Sequence, residues 1–235
     1  MPAESDLAVP AALMGEPARA TMLLALMDGR SRSAGELAGL AGVRPSTASG
    51  HLQRLTDGGL IEVTVSGRNR YYHLGSAEVA RAVEALQALA PALPVRSLRA
   101  ARTGSALAFA RTCYDHLAGE LAIALAGALV DRGVIAPLRS GAVGELQQPE
   151  HELLHFLGVP ATTSTSGRRP AVRGCLDWTQ RVPHLAGRLG AHVLSGMTEQ
   201  GWIRPMDASR AVRLTEPGRL TLAEAGLFSR DQLLA

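Results

Sequence analysis

The sequence predicts a mainly helical α+β chain with small β-hairpin wings, organised in two parts. Three observations carry this expectation. Apolar residues recur at helical spacing between Gly and Pro punctuation over most of the chain. The run Leu60-Ile61-Glu62-Val63-Thr64-Val65 faces Tyr71-Tyr72-His73-Leu74 across a polar, Gly-containing tip at 66–70, as hairpins require. The segment Ala90-Pro91-Ala92-Leu93-Pro94 breaks the helical pattern and marks a linker. The expected divisions are a loose tail at 1–15, a first domain at 16–90 and a second at 91–235.

The chain has 235 residues and 24.6 kDa, with 46% hydrophobic and 19% charged residues. That is enough apolar content for one large or two small cores, and it excludes disorder as the main state. The longest apolar run, Leu121 to Val130, is closed by Glu120 and Asp131 and is too short to cross a bilayer. The first residues carry no basic segment, so no signal peptide and a cytoplasmic location are expected. Two cysteines do not make a disulfide framework. All 24 basic residues are Arg, against 21 acidic ones, giving a net charge of +3. Guanidinium grips phosphate bidentately where ammonium acts as a point charge.

Taken in order, a helix follows Pro17 with Ala20, Leu23, Leu24 and Met27 on one face, ending at Asp28-Gly29. A second runs from Ser33 to Ala41 with Leu37, Leu40 and Ala41 inward. The turn Gly42-Val43-Arg44-Pro45 leads into a helix from Ser46 to Asp57, closed by Gly58-Gly59, and then the hairpin. The helix Ser76–Leu89 is amphipathic through Val79, Val83, Leu86 and Leu89.

A helix–turn–helix followed by a basic-tipped hairpin is a winged helix. Residues 16–90 resemble the ArsR-type (arsenic-repressor-like) bacterial winged-helix regulators. The resemblance rests on Gly35-Glu36-Leu37-Ala38, on the run Val43 to Leu52, on Asp57-Gly58-Gly59-Leu60-Ile61 and on Gly67-Arg68-Asn69-Arg70-Tyr71-Tyr72. It implies binding to double-stranded DNA and a homodimer built in part on the helix Ser76–Leu89. The metal sites usual in that family are absent. The helix before the recognition helix carries no Cys, and Ser76–Leu89 has Glu78 and Glu84 but no His.

On the helix from Ser46, Ala48, Leu52 and Leu55 face inward. Ser46, Thr47, Gly50, Gln53 and Arg54 face out, with Ser49 and His51 at the borders. Hydroxyls, an amide and one Arg suit base edges and phosphates in a major groove. Gly50 lets the backbone come close, and Arg68 and Arg70 on the hairpin would meet phosphate or an adjacent minor groove. Residues 1–75 hold seven Arg and seven acidic residues, so affinity must come from charge placement.

Beyond the linker, Arg96, Arg99, Arg102 and Arg111 read as one helix surface. The second part is expected to be mostly helical and to contain a faint duplication. Arg111-Thr112-Cys113-Tyr114-Asp115 is echoed by Arg173-Gly174-Cys175-Leu176-Asp177. His116-Leu117-Ala118-Gly119 recurs as His184-Leu185-Ala186-Gly187 after the insertion Trp178 to Pro183, and the register continues through Leu121/Leu189, Gly133/Gly201 and Ile135/Ile203. Gly201-Trp202-Ile203 and Val212 to Gly218 read as a degenerate wing, with Thr215 capping a last helix. The stretch 161–170 reads as a polar loop.

The chemistry of this part lies in the echoed segments: Arg111, Cys113, Tyr114, Asp115 and His116, and Cys175, Asp177, Trp178 and His184. On a helix, Cys113 and His116 would face the same way. The arrangement resembles a C-terminal extension found on many actinobacterial ArsR-type proteins. Several readings stand side by side. The cysteines form a thiol switch, or bind a soft metal with a His. The polar groups anchor a small molecule in an apolar cleft, or the cysteines are buried core residues. A thiol-dependent enzyme and a ligand-insensitive architectural DNA protein are the alternatives to a regulator, probed by whether DNA binding answers a signal. The effector, any cofactor and any metal are unknown at this level. The reading is a DNA-binding transcriptional repressor with a sensory second domain.

Overall fold

Helix boundaries follow from local chemistry. Ser33 accepts from the Glu36 amide while the Glu36 carboxylate accepts from the Ser33 amide at 2.8 Å, a reciprocal capping box that starts α3 (Ala34–Ala41). Gly42 ends α3 at φ 66°, and Pro45 occupies the first turn of α4 (Pro45–Asp57). The structure is a computed structural model, and it describes residues 5–91, 97–164, 169–206 and 209–228. The linker residues 92–94, Arg96, and 165–168 of the polar loop lie outside the described residues.

The chain forms two compact units, Met1–Val83 and Glu84–Ala235. In the first, α1 (Ala8–Met14) and α2 (Pro17–Leu26) precede the short strand β1 (Arg32–Ser33), α3 and α4. The hairpin β2 (Ile61–Ser66) and β3 (Asn69–Leu74) follows, then α5 (Ala77–Leu89). The sheet order is β1-β3-β2, all antiparallel. Met22, Leu23, Leu26, Leu37, Leu52 and Leu55 are almost wholly buried at its core.

Four expectations change here. Residues 8–14 are helical, because the buried Arg19 side chain donates to the last carbonyls of α1, Ala12 O at 2.8 Å and Leu13 O at 2.7 Å. The buried stripe of α2 is Ala18, Met22, Leu23 and Leu26, one step round from the expected face. Leu40 is exposed, and Ala38 takes the inward place beside Leu37. The hairpin tip is two residues, not five: Ser66 pairs with Asn69, and Gly67 sits at φ 61° as the first turn residue of this reversal needs.

The second unit takes in the end of α5 from Glu84 and continues with α6 (Leu98–Phe109), whose Arg99 and Arg102 are exposed. Then come β4 (Arg111–Cys113), β5 (His116–Ala118) and α7 (Glu120–Asp131), followed by β6 (Val143–Gly144), α8 (Glu152–Phe156) and a 3-10 turn at Ala161–Ser164. The hairpin β7 (Val172–Leu176) and β8 (Pro183–Ala186) leads into α9 (Gly187–Glu199). It ends with β9 (Ile203–Pro205), β10 (Val212–Leu214) and α10 (Glu216–Glu224), whose N-cap Thr215 accepts from Gly218. Small antiparallel hairpins thus share the unit with its helices: β4-β5, β6-β7-β8 and β10-β9.

The echo in sequence is an echo in structure. Each repeat is hairpin, glycine, helix, glycine, followed by an extended segment that is the strand β9 in the second copy and a single bridge from Ile135 to Leu146 in the first. Leu121/Leu189, Leu125/Val193, Leu129/Met197 and Ile135/Ile203 are buried in pairs. Both helices end with the same pair of backbone bonds: Gly133 to Val130 and Val134 to Leu129, then Gly201 to Thr198 and Trp202 to Met197. Each helix packs on both hairpins, α7 on β5 and β8 and α9 on β5, β7 and β8, so the two repeats share their cover.

Gly119 and Gly187 turn each hairpin into its helix at φ 90° and 87°. A Cβ on Gly119 would lie 2.6 Å from the Ala108 carbonyl oxygen, and one on Gly187 2.6 Å from that of Ala171. Gly119→Ala and Gly187→Ala are each expected to destabilise the protein by about 1–3 kcal/mol or more. Gly127→Ala, in the middle of α7 with open space at its Cβ, should instead stabilise by about 0.5–1 kcal/mol. Urea unfolding of the three variants checks this; equal effects at all three positions would contradict the assigned turns.

Candidate functional site

The first unit presents one face built for a polar partner. Along α4, Ala48, Leu52 and Leu55 have no exposure, whereas Ser46, Thr47, Ser49, Gly50, Gln53 and Arg54 are exposed. Gln53 donates to Asp57 at 2.7 Å along the helix, and Ser49 donates back to the Pro45 carbonyl. His51 differs from the rest: it is half-buried, with Nδ1 3.4 Å from the Glu16 carboxylate. Arg68 in the turn and Arg70 opposite Val65 on β3 are both exposed.

The second unit brings the echoed residues together, by a route other than the expected helix. Cys113 and His116 are cross-strand partners on β4 and β5, joined by the two-residue turn Tyr114-Asp115 with Tyr114 at φ 61°. Cys175 and His184 are cross-strand partners on β7 and β8, joined by the longer loop that the inserted residues form. A directly opposed pair on one strand face brings side chains together as closely as helical spacing would. The three-residue spacing therefore survives a change of secondary structure.

The two hairpins meet at these four side chains, all buried, with ligating atoms within 4.8 Å of one another. Cys113 Sγ lies 3.9 Å from Cys175 Sγ, and His116 Nε2 lies 3.1 Å from His184 Nε2. Behind the imidazoles stand the two aspartates of the echo. Asp115 Oδ1 is 3.2 Å from His116 Nδ1, and Asp177 Oδ2 is 3.7 Å from His184 Nδ1.

Each aspartate is held by an arginine from the opposite repeat. Arg169 donates to Asp115 through both terminal nitrogens. Arg111, wholly buried, donates to Asp177 Oδ2 at 3.1 Å and stacks under Trp178, its guanidinium carbon 4.9 Å from the ring centre. The same oxygen accepts from the Gly119 amide at 2.7 Å, at the head of α7, and Oδ1 accepts from the amides of Thr179 and Gln180. Arg111 also faces buried Glu84 at 3.9 Å, and Glu84 is bonded by Arg210 at 2.6 Å.

Electrostatics separate the two thiols. The hydrogen bond between them raises Cys113 well above the usual thiol range, with burial adding to it, and holds Cys175 well below that range. Burial pushes the His116 imidazole down, but its bonds with Asp115 and Cys175 outweigh this and raise it to about 9. Burial likewise raises Asp115, and His116 and Arg169 overcome it and leave the carboxyl ionised. Both shifts favour negative charge on Cys175 and positive charge on His116, in a cluster closed off from solvent. Such a set can bind a cation, exchange protons or be oxidised.

Of the nine expected sensor residues, Cys113, His116, Cys175 and His184 meet at the centre. Asp115 and Asp177 stand behind them, and Arg111 and Trp178 support Asp177. Tyr114 serves the turn. Arg169, Glu84 and Arg210 were not singled out from sequence. The register pairs Arg111 with Arg173, yet Arg173 donates to the Gly141 carbonyl and Arg169 takes the clamping role. Nothing in the spacing points from Asp115 to a residue on a distant loop.

Residues 14–64 match a helix-turn-helix domain family. The HTH-type transcriptional regulator YdfF of Bacillus subtilis (strain 168) is 40% identical over 208 residues, 88% of this chain and 91% of the relative. Solved structures match a smaller share of the chain. HlyU of Vibrio cholerae N16961 is 30% identical over 35% of this chain and 88% of its own, with a TM-score of 0.33. The cadmium metal-sensor CMTR of Mycobacterium tuberculosis is 33% identical over 39% and 94%, with a TM-score of 0.32. No helix among the described residues is long and apolar enough to cross a membrane. With a relative matched along most of both chains, this protein belongs to the HTH-type transcriptional regulators, DNA-binding proteins that here carry the helix-turn-helix domain in the N-terminal unit.

Proposed function

We propose that the protein is a homodimeric repressor that reads double-stranded DNA with α4 and answers a signal received at the Cys/His cluster of its second unit. The observation that carries the DNA-reading part is the two-sided division of α4. Three apolar side chains without exposure fix the helix to the core, and the exposed side offers hydroxyls, an amide and a guanidinium. Those groups match base edges and phosphates, and Gly50 leaves room for close backbone approach. Arg68 and Arg70 would hold the flanking backbone from the wing. His51, turned toward Glu16, contributes positioning of the helix more than a DNA contact.

A dimer supplies two α4 helices for half-sites about 34–36 Å apart. Its support here is Leu86 and Leu89 of α5, 50% and 82% exposed, on the helix that the ArsR resemblance assigns to the dimer. A signal acts only by favouring one arrangement of the recognition helices over another. The buried Cys/His cluster is the part of the second unit with the chemistry to register one.

Fluorescence anisotropy on the DNA upstream of the protein's own gene tests the reading. Reduced protein should bind tightly and salt-sensitively, lose affinity on mild oxidation and regain it with reductant. Binding indifferent to salt and sequence would contradict it. The variant Arg68→Ala/Arg70→Ala should bind all DNA more weakly, with the slope of log K against log salt reduced by about 0.9 for each phosphate no longer neutralised. An unchanged slope removes the wing from the interface. Cys113→Ser/Cys175→Ser should keep DNA binding and lose the response; a full response from this double variant removes the cluster as sensor.

A further inference from the structure

Two thiols and two imidazoles from separate hairpins converge on one buried point, with all four ligand atoms within 4.8 Å of one another and so within reach of a single ion after a small contraction. For a tetrahedral zinc-like ion with sulfur at about 2.3 Å and nitrogen at about 2.0–2.1 Å, the sulfur–sulfur edge is about 3.8 Å and the nitrogen–nitrogen edge about 3.3 Å. The observed separations are 3.9 Å for Cys113 and Cys175 and 3.1 Å for His116 and His184. Both imidazoles turn Nε2 inward. Asp115 Oδ1 lies 3.2 Å from His116 Nδ1, a placement that suits a ring proton on Nδ1 and leaves Nε2 for the centre of the cluster. The Nδ1 of His184 is buried without a hydrogen-bond partner, and Asp177 is the carboxylate nearest to it. An aspartate behind a histidine is the usual outer support of a metal-bound imidazole.

We propose that Cys113, His116, Cys175 and His184 bind one zinc-class cation in a closed tetrahedral site, with Asp115 and Asp177 orienting the two imidazoles. Thiolate and imidazole ligands select a borderline-soft ion and exclude Mg2+ and Ca2+, which take oxygen. Four protein ligands leave no open position, so the ion holds structure and does no chemistry on a substrate. Its entry displaces protons from the thiol and imidazole groups to the buffer. A disulfide is the competing fate, and it requires the sulfurs to close to about 2.05 Å. The site joins the two repeats, and binding by itself does not rest on the DNA-reading model. Only its use as a signal rests on the function proposed above.

The test is titration of the reduced, chelator-treated full chain with Co2+ alone under anaerobic conditions. One Co2+ per chain is expected, with the intense visible bands of a tetrahedral ion and a sulfur-to-cobalt charge-transfer band, both removed by Zn2+. Asp115→Asn, at a partly exposed position, should keep the spectrum and weaken Co2+ binding 10–100-fold. Cys113→Ser should lower the charge-transfer band, with circular dichroism confirming the fold. A weak octahedral spectrum, or Co2+ binding unchanged in Cys113→Ser, overturns the site. Unchanged affinity in Asp115→Asn overturns the orienting role. Operator anisotropy with and without Zn2+ then judges the signalling role separately: equal affinities leave the metal site standing and remove it as the effector site.

Discussion

The second unit depends on one buried carboxylate. Asp177 sits in the loop of one repeat, accepts from Arg111 of the other, and receives the amide at the start of the other repeat's helix. Both partners are without solvent exposure, so the charges are sustained by each other and by the hydrogen bonds around them. Removing one partner of such a pair typically costs about 3–5 kcal/mol, because the remaining charge is left buried. The interaction fixes where the two hairpins stand relative to each other. The four ligating atoms converge only if that placement holds.

Duplication explains why so short a segment can build a four-residue cluster. One Cys and one His per hairpin are a pair on a single face; two hairpins related by the repeat double the pair. Packing of α7 and α9 on both hairpins then joins the two repeats, and the cluster forms at their seam. The two halves have diverged at their supports. A tight Tyr114-Asp115 turn leaves Asp115 partly exposed and held by Arg169, while Asp177 is buried against Arg111, which stacks on Trp178.

Much of this was legible in the sequence, for identifiable reasons. The winged helix was readable because capping residues, the Gly42 stop and the Ala48/Leu52/Leu55 stripe act locally. The repeat was readable because burial recurs pair by pair between the two copies. Helix α1 was not, since its end is secured by the Arg19 side chain from the next helix. The strands carrying Cys113 and His116 were misread because a spacing of three serves a helix face and a tight hairpin equally. Arg169, Glu84 and Arg210 were silent because their roles arise only when distant segments fold together. The exposure of Leu86 and Leu89 was hidden by a periodicity that marks an apolar face without naming its partner.

X-ray absorption at the zinc edge, on the full chain loaded with one equivalent of Zn2+, tests the central claim most directly. The account predicts a first shell of two sulfurs at about 2.3 Å and two imidazole nitrogens at about 2.0–2.1 Å. A shell of oxygen ligands, or one without sulfur, would contradict it.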